Sequence, residues 1–406
     1  MKKFKKGKVF IVCAMDTEGP ITNKKKPDIL DSWNKIRKLV NTLTSKKFRE
    51  KNLDSSGKGI VYSWFILTLT GFNTNPFQRP MYYHKVYDFY LKNFSKNFAK
   101  NKDEIYWHYH QPAPSRIGNE WSKDWTSSQE YFNILSRLLI ERSYFPSCFR
   151  AGGRIEDNDL SYWLEQWIPF DFSCCSGDIN WNRKESDGQK LKDVCDWSLS
   201  SKSWGGYNPS NENYQIKGQQ NRYIFRCPDL NSPVHKLSNK EIRQAFNKAR
   251  KGKNALLSFF DHDRRYNVID NISDVCKRIK KISKEFKDIK WYYKNAKDAA
   301  NLQLNLKKTN KPRFFLKVMD KNRLLVEVDK MIFGRTPFLC QKINSKEVNE
   351  LSLNILGKQK WISPPLNNFD KKKIFAIAAN NINGETSILH FKINKNKIQF
   401  LKGDKK

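Results

Sequence analysis

Asp16 and Glu18 stand two residues apart, as do His108 and His110, and each pair closes an apolar run of sequence. Side chains two apart on a strand share one face. Parallel α/β folds gather their reactive groups at the C-terminal ends of strands. Two carboxylates and two imidazoles meeting there offer the nitrogen and oxygen donors that a divalent ion of the zinc type takes, with a position left for water. Two more apolar runs end in ionisable groups. One is Phe149-Arg150-Ala-Gly-Gly153, a guanidinium beside a glycine turn. The other is Ser258-Phe-Phe-Asp261-His262-Asp263, an imidazole between two carboxylates. Packing alone does not produce apolar strand bodies with charged ends.

The elements that would position these groups alternate. Val9–Met15, Gly59–Leu67, Glu104–His110, Ser147–Ala151, Asn254–Phe260 and Ile289–Tyr293 read as buried strands, being short and apolar. Ile29–Leu43, Val86–Phe98, Ser127–Arg142, Asp157–Gln166 and Ile269–Phe286 carry apolar residues at helical spacing, and a short helix is expected near Ala296. Such alternation predicts an α/β fold with a parallel sheet or barrel over residues 8–303. Residues 176–221, rich in Gly, Ser, Asn and Trp, break the rhythm and read as a long loop or lid. Within it Trp181, Trp197, Trp204 and Tyr207 either stack on sugar rings or pack the loop. Short strands with turn residues between them predict a small all-β, sandwich-like accessory domain at 308–400.

Hydrophobic residues make up 38% of the 406-residue chain and aromatics 14%, enough for a packed core rather than a disordered chain. No apolar run approaches the roughly 18 residues of a membrane helix, so no membrane span is expected. The net charge of +35 is spread in pairs and triplets such as Lys24–Lys26, which reads as solvated surface and not as a specific nucleic-acid site. Eight cysteines include no C-x-x-C pair, so free buried thiols in a reducing compartment are expected. The basic N-terminus precedes only seven apolar residues and no small-residue cleavage site, which predicts a first strand and a cytoplasmic protein.

The order and spacing of these motifs resemble the polysaccharide deacetylases, the NodB-homology group of carbohydrate esterase family 4, and specifically its divergent members. Met15-Asp-Thr-Glu-Gly-Pro20 is close to their D-x-E motif, and Val61-Tyr-Ser-Trp-Phe-Ile66 resembles their second strand. Glu104-Ile-Tyr-Trp-His-Tyr-His-Gln-Pro112 is similar to the divergent H-x-H-P motif, with Pro112 where the core family has its second histidine. Phe149-Arg-Ala-Gly-Gly153, Tyr207-Asn-Pro-Ser210 and Phe260-Asp-His262 match the remaining motifs. The resemblance implies a distorted (β/α)7 barrel, a divalent metal such as Zn2+, and hydrolysis of an N-acetyl or related amide on a sugar or glycan. Carried over, His108 and His110 are metal ligands. Glu18 aligns best with the ligand acid and Asp16 with the general base, although the D-x-E spacing leaves the two interchangeable. Arg150 orients the base, and His262 is the candidate acid for the leaving amine. Asp261 and Asp263 flank it as supporting or solvated acids.

Three rival functions share the composition. A metal-independent glycoside hydrolase would use paired carboxylates and has no need of H-x-H. A glycan- or nucleic-acid-binding protein would use the positive charge, but no recognised RNA- or DNA-binding signature is present. The third is a catalytically inactive relative of the deacetylases.

Overall fold

The computed structural model describes residues 6–21, 29–70, 81–111, 130–183, 190–232, 235–366, 373–394 and 397–401. Pro112, the first residues of the helix expected from Ser127, and Lys24–Lys26 lie outside them. The chain divides into two compact units.

The first unit comprises residues 1–125, 148–158 and 170–307. It carries β1 (Val9–Thr17), α1 (Trp33–Thr44), α2 (Lys46–Lys51), β2 (Tyr62–Thr68), α3 (Lys85–Asn101) and β3 (Glu104–Tyr109). After two helices assigned largely to the other unit, α4 (Glu130–Arg142) and α5 (Asn158–Glu165), it contains β4 (Cys148–Ala151), β5 (Phe170–Cys174), α6 (Leu191–Val194) and β6 (Tyr223–Arg226). It closes with α7 (Asn239–Arg250), β7 (Ala255–His262), α8 (Val268–Ser283), β8 (Trp291–Tyr293) and α9 (Ala296–Leu304).

Seven strands form one parallel sheet in the order β6-β5-β4-β3-β2-β1-β7, and β8 pairs with Val9–Ile11 of β1 on the edge opposite β7. The sheet curls until its edges meet. Just past β6, the Phe260 amide donates to Pro228 O at 3.0 Å and the Leu230 amide to Phe260 O at 2.9 Å. One face of every strand therefore points inward. Phe10, Val12 and Ala14 of β1, Tyr106 of β3, Cys148 of β4, and Leu256 and Phe260 of β7 form a buried interior cluster with Phe65, Phe170, Phe172 and Phe225. The same parity continues to Asp16, His108, Arg150 and His262 at the strand ends. Alternation along a strand thus turns one apolar interior into a charged rim. At the opposite end, Ala296, Ala299 and Ala300 of α9 pack into the cluster. Asn295 caps that helix by accepting from the Asp298 amide at 2.8 Å.

Boundaries move where caps decide them. The helix expected from Ile29 begins at Trp33, because Ser32 caps it through the Lys35 amide at 3.4 Å. Ile29 instead forms a bridge with Arg265.

The second unit comprises residues 126–147, 159–169 and 308–406, so it includes helical segments that the sequence reading placed with residues 8–303. Its strands are β9 (Phe314–Met319), β10 (Arg323–Val328), β11 (Phe338–Lys342), β12 (Val348–Leu351), β13 (Asn354–Gly357), β14 (Lys360–Ile362), β15 (Ile374–Asn380), β16 (Thr386–Asn394) and β17 (Lys397–Phe400). They form two antiparallel sheets, β13-β14-β10-β9 and β12-β11-β15-β16-β17. Leu324, Val326, Trp361, Leu339, Ile377 and Phe391, drawn from both, share one buried cluster. Polar ties hold the helical segments to these strands. The Asn380 amide donates to Pro146 O and Trp167 O at 2.8 Å each, and His390 Nε2 meets Leu139 O at 2.8 Å. Among the described residues no helix is long and apolar enough to cross a membrane.

Candidate metal centre

β1 and β7 are hydrogen-bonded neighbours with Asp16 opposite His262. β3 and β4 are neighbours with His108 opposite Arg150. The four strand ends picked out in the sequence therefore face one opening. Glu18, just beyond β1, joins His108 and His110, and one ligand atom from each lies within 4.8 Å of the others. His108 Nε2 and His110 Nε2 are 3.1 Å apart, and His110 Nε2 is 3.9 Å from Glu18 Oε1.

Supporting contacts fix each donor. His108 is buried, and its Nδ1 lies 3.0 Å from the carbonyl oxygen of Arg150. A carbonyl only accepts, so Nδ1 carries the proton and the Nε2 lone pair faces the cluster. Gly152 lies directly against His110, and a Cβ at that position would collide with the ring. Glu18 is held from behind: its amide donates to Asp263 Oδ1 at 2.9 Å, and Tyr90 OH donates to Asp263 Oδ2 at 2.8 Å. The turn that follows needs Gly19, whose φ is +73° and whose Cβ would press on Trp33.

The electrostatics suit a cation. Burial pushes the Glu18 carboxyl up, but Arg264 and the two imidazoles outweigh it and bring it down to about 2. Arg264 Nε donates to Glu18 Oε2 at 2.5 Å. Burial, and then the proximity of His108, lowers His110 to about 4. At neutral pH His110 is therefore an uncharged imidazole and Glu18 an anion. A carboxylate oxygen and imidazole nitrogens converging over a few ångströms are the donor set of a transition-type divalent ion.

Asp16 does not point at the three donors' own contacts. Arg150 Nε and Nη2 hold its two oxygens at 2.8 and 2.9 Å. Arg150 is buried, donates also to Phe172 O at 2.6 Å, and lies over the Phe260 ring at 3.8 Å. Burial would lower its pKa, but Asp16, with Cys227 and Asp229, together outweighs burial and holds it above the ordinary value. His262 Nε2 is 3.3 Å from Glu18 Oε1. Burial, reinforced by Arg265 and Arg264, holds that ring well below its usual pKa, so it is neutral at rest.

The six predicted site residues thus gather at neighbouring strand ends in two sets: Glu18 with His108, His110 and His262, and Asp16 clasped by Arg150. Asp261 and Asp263 are buried, not solvated. Asp261 accepts from the His262 amide, from Arg265 and from Asn271 at 2.8, 2.8 and 2.7 Å. Sequence reasoning missed Arg264 and Tyr90. The charge-dense run Asp261-His-Asp-Arg-Arg265 was the available signal for the first; nothing in the local pattern marks the second. Trp197 and Trp204 are buried and donate to Arg154 O and Glu241 O at 2.8 and 2.7 Å, so these two pack the loop and do not offer a stacking face.

No family model matches the chain, and no curated protein matches it. Among solved structures, the crystal structure of an engineered protein is similar at 7% identity over 85% of this chain and 67% of that one, with a TM-score of 0.19. A likeness at that level carries no argument about fold or activity.

Proposed function

We propose that the chain is a metal-dependent hydrolase of the polysaccharide deacetylase type, removing an N-acetyl or related acyl group from a sugar or polysaccharide precursor. The observation that supports this most is the convergence of Glu18, His108 and His110 beside an arginine-clasped carboxylate at the rim of a parallel barrel-like sheet. Glu18, His108 and His110 hold the ion, zinc by donor chemistry. Bound there, it supplies electrophilic activation of the acyl carbonyl and of the attacking water.

The chain's own residues do the rest. Asp16 accepts the proton of the attacking water, and Arg150 holds both its oxygens so that it stays ionised and aimed. Arg264 occupies Glu18 Oε2, which leaves Oε1 for the ion. His262 is the ring placed to protonate the leaving nitrogen. It is neutral at rest, so it takes up the proton that Asp16 has removed from the water before passing it to the leaving nitrogen, and the same burial makes its imidazolium a strong acid. Eight buried cysteines that form no disulfide fit a cytoplasmic site of action on a precursor glycan.

The test is acetate release from N-acetylated oligosaccharides by zinc-loaded protein. The wild type is expected to release acetate. Asp16→Asn is expected to keep its metal, which also reports that it has folded, and to lose at least 10²-fold in rate. Turnover by Asp16→Asn equal to wild type would remove Asp16 from the base role.

A further inference from the structure

Beside the Gly152–Arg154 turn lies a second chemically distinct cluster. Cys175 Sγ and Cys195 Sγ are in contact at 3.8 Å, 20 residues apart in sequence and buried in one cluster with Leu191, Trp197, Tyr214 and Ile224. Cys195 Sγ donates to Arg154 O at 3.2 Å, and Trp197 Nε1 donates to the same oxygen at 2.8 Å. Arg154 has a left-handed backbone, φ +63°, although it carries a Cβ. Its guanidinium makes no ion pair among the described residues and interacts instead with the two thiols. Asp229, the acid nearest in influence, is bound to Arg265 at 2.8 and 3.0 Å. A cation without a carboxylate beside two touching sulfurs is the environment that favours a thiolate.

We propose that Cys175 and Cys195 form an oxidant-reactive thiol pair, which hydrogen peroxide converts to a reversible disulfide. Cys175 is the attacking sulfur. Burial alone would raise its pKa, but the contact with Cys195 and the charges of Arg154 and Arg150 bring it down to about 7. The hydrogen-bonded Cys175 neighbour, and then burial, push the Cys195 thiol well up and keep it protonated. The Cys175 thiolate attacks one peroxide oxygen, the O–O bond breaks, and the departing hydroxide takes up a proton as water, leaving Cys175 as a sulfenic acid. The Cys195 sulfur then attacks the Cys175 sulfur. Its proton leaves with the displaced hydroxyl as a second water, and the S–S bond forms. Two thiols are oxidised by two electrons and one peroxide is reduced to two waters.

Cys174 is adjacent in sequence and hydrogen-bonds Ser176 Oγ at 3.4 Å, so Cys174→Ser gives an unambiguous background for peptide mapping. The full-length protein is treated with one equivalent of hydrogen peroxide at pH 7 and mapped by mass spectrometry. The expected result is loss of two free thiols, a Cys175–Cys195 linked peptide, and recovery of both thiols with dithiothreitol. Cys195→Ser is expected to stop at a sulfenic acid on Cys175 that dimedone traps. Arg154→Met is expected to slow the first step about tenfold. Retention of free Cys175 and Cys195 in the wild type while other cysteines are consumed would overturn the proposal. So would an Arg154→Met rate equal to wild type in a variant with unchanged circular dichroism.

Discussion

Glu18 is the residue on which the site turns. Its backbone hangs from Asp263, one carboxylate oxygen is held by Arg264, and the other faces His110 and His262. The pair spacing of two, D-x-E and H-x-H, was readable in the sequence, and it correctly put the members of each pair near one another. It did not distinguish the two acids. The structure does so by partner: Asp16 belongs to Arg150, whereas Glu18 belongs to the imidazoles. Gly152 belongs to this scale too. The glycine turn after Arg150 was visible in the sequence, but its purpose, letting the His110 ring rest on bare backbone, needed coordinates. Gly152→Ala is therefore expected to displace His110 and weaken zinc binding by about 10–100-fold, the usual cost of disturbing a ligand's support. Competition with a chelating dye measures it, and unchanged affinity would show that the ring has room to move.

At the level of elements, the long apolar strands were legible because a run buried on both faces has an unmistakable composition. β5 and β6 were not. Phe170-Asp-Phe-Ser-Cys174 and Tyr223-Ile-Phe-Arg226 are short, and each carries a charge that the fold neutralises from elsewhere. Asp171 of β5 is paired with buried Arg222, which also donates to Glu156 Oε1 at 2.8 Å. Removing Arg222 takes away the guanidinium that both buried acids contact. Arg222→Met is expected to lower stability by about 3–5 kcal/mol in urea unfolding. A loss under 1 kcal/mol would mean that the acids already share a proton and need no guanidinium. α7 was missed although its signal was present: Ser238 and Glu241 form a capping box, followed by Ile242, Ala245, Phe246 and Ala249 on one face. Glu241 is also bound by Arg226 and His235. Burial raises its pKa, but these partners bring it down from 4.5 to about 2. A depressed folded-state pKa gives stability that is present above about 4.5 and lost as pH falls towards 2. Glu241→Gln is expected to be less stable at pH 7 and to show a flatter loss of stability over that acid range. A parallel pair of stability–pH curves would contradict the assignment.

For the whole molecule, alternating strands and helices gave the α/β class, and the change of texture after Lys307 marked where strands take over. What composition and periodicity could not reveal is that residues 126–147 and 159–169, which read as ordinary crossover helices, group with the C-terminal strands. Their ties to those strands include Asn380 and His390 and the packing of Phe145 and Trp167 on Phe338, which leave no periodic trace in sequence. The net charge of +35 acts at this scale alone. It is spread over many lysines, so binding to unrelated duplex DNA sequences is expected to be equal among them and to vanish together as salt is raised. A sequence preference that survives high salt in an electrophoretic titration would demand a dedicated nucleic-acid surface. The account of the molecule as a whole rests on one ion held by two strand ends. Elemental analysis of purified wild type beside His108→Ala and His110→Ala measures that directly. About one equivalent of zinc in the wild type, and its loss from both variants with the fold retained by circular dichroism, is the result predicted. Equal metal content in all three proteins, or none in any after zinc loading, would contradict it.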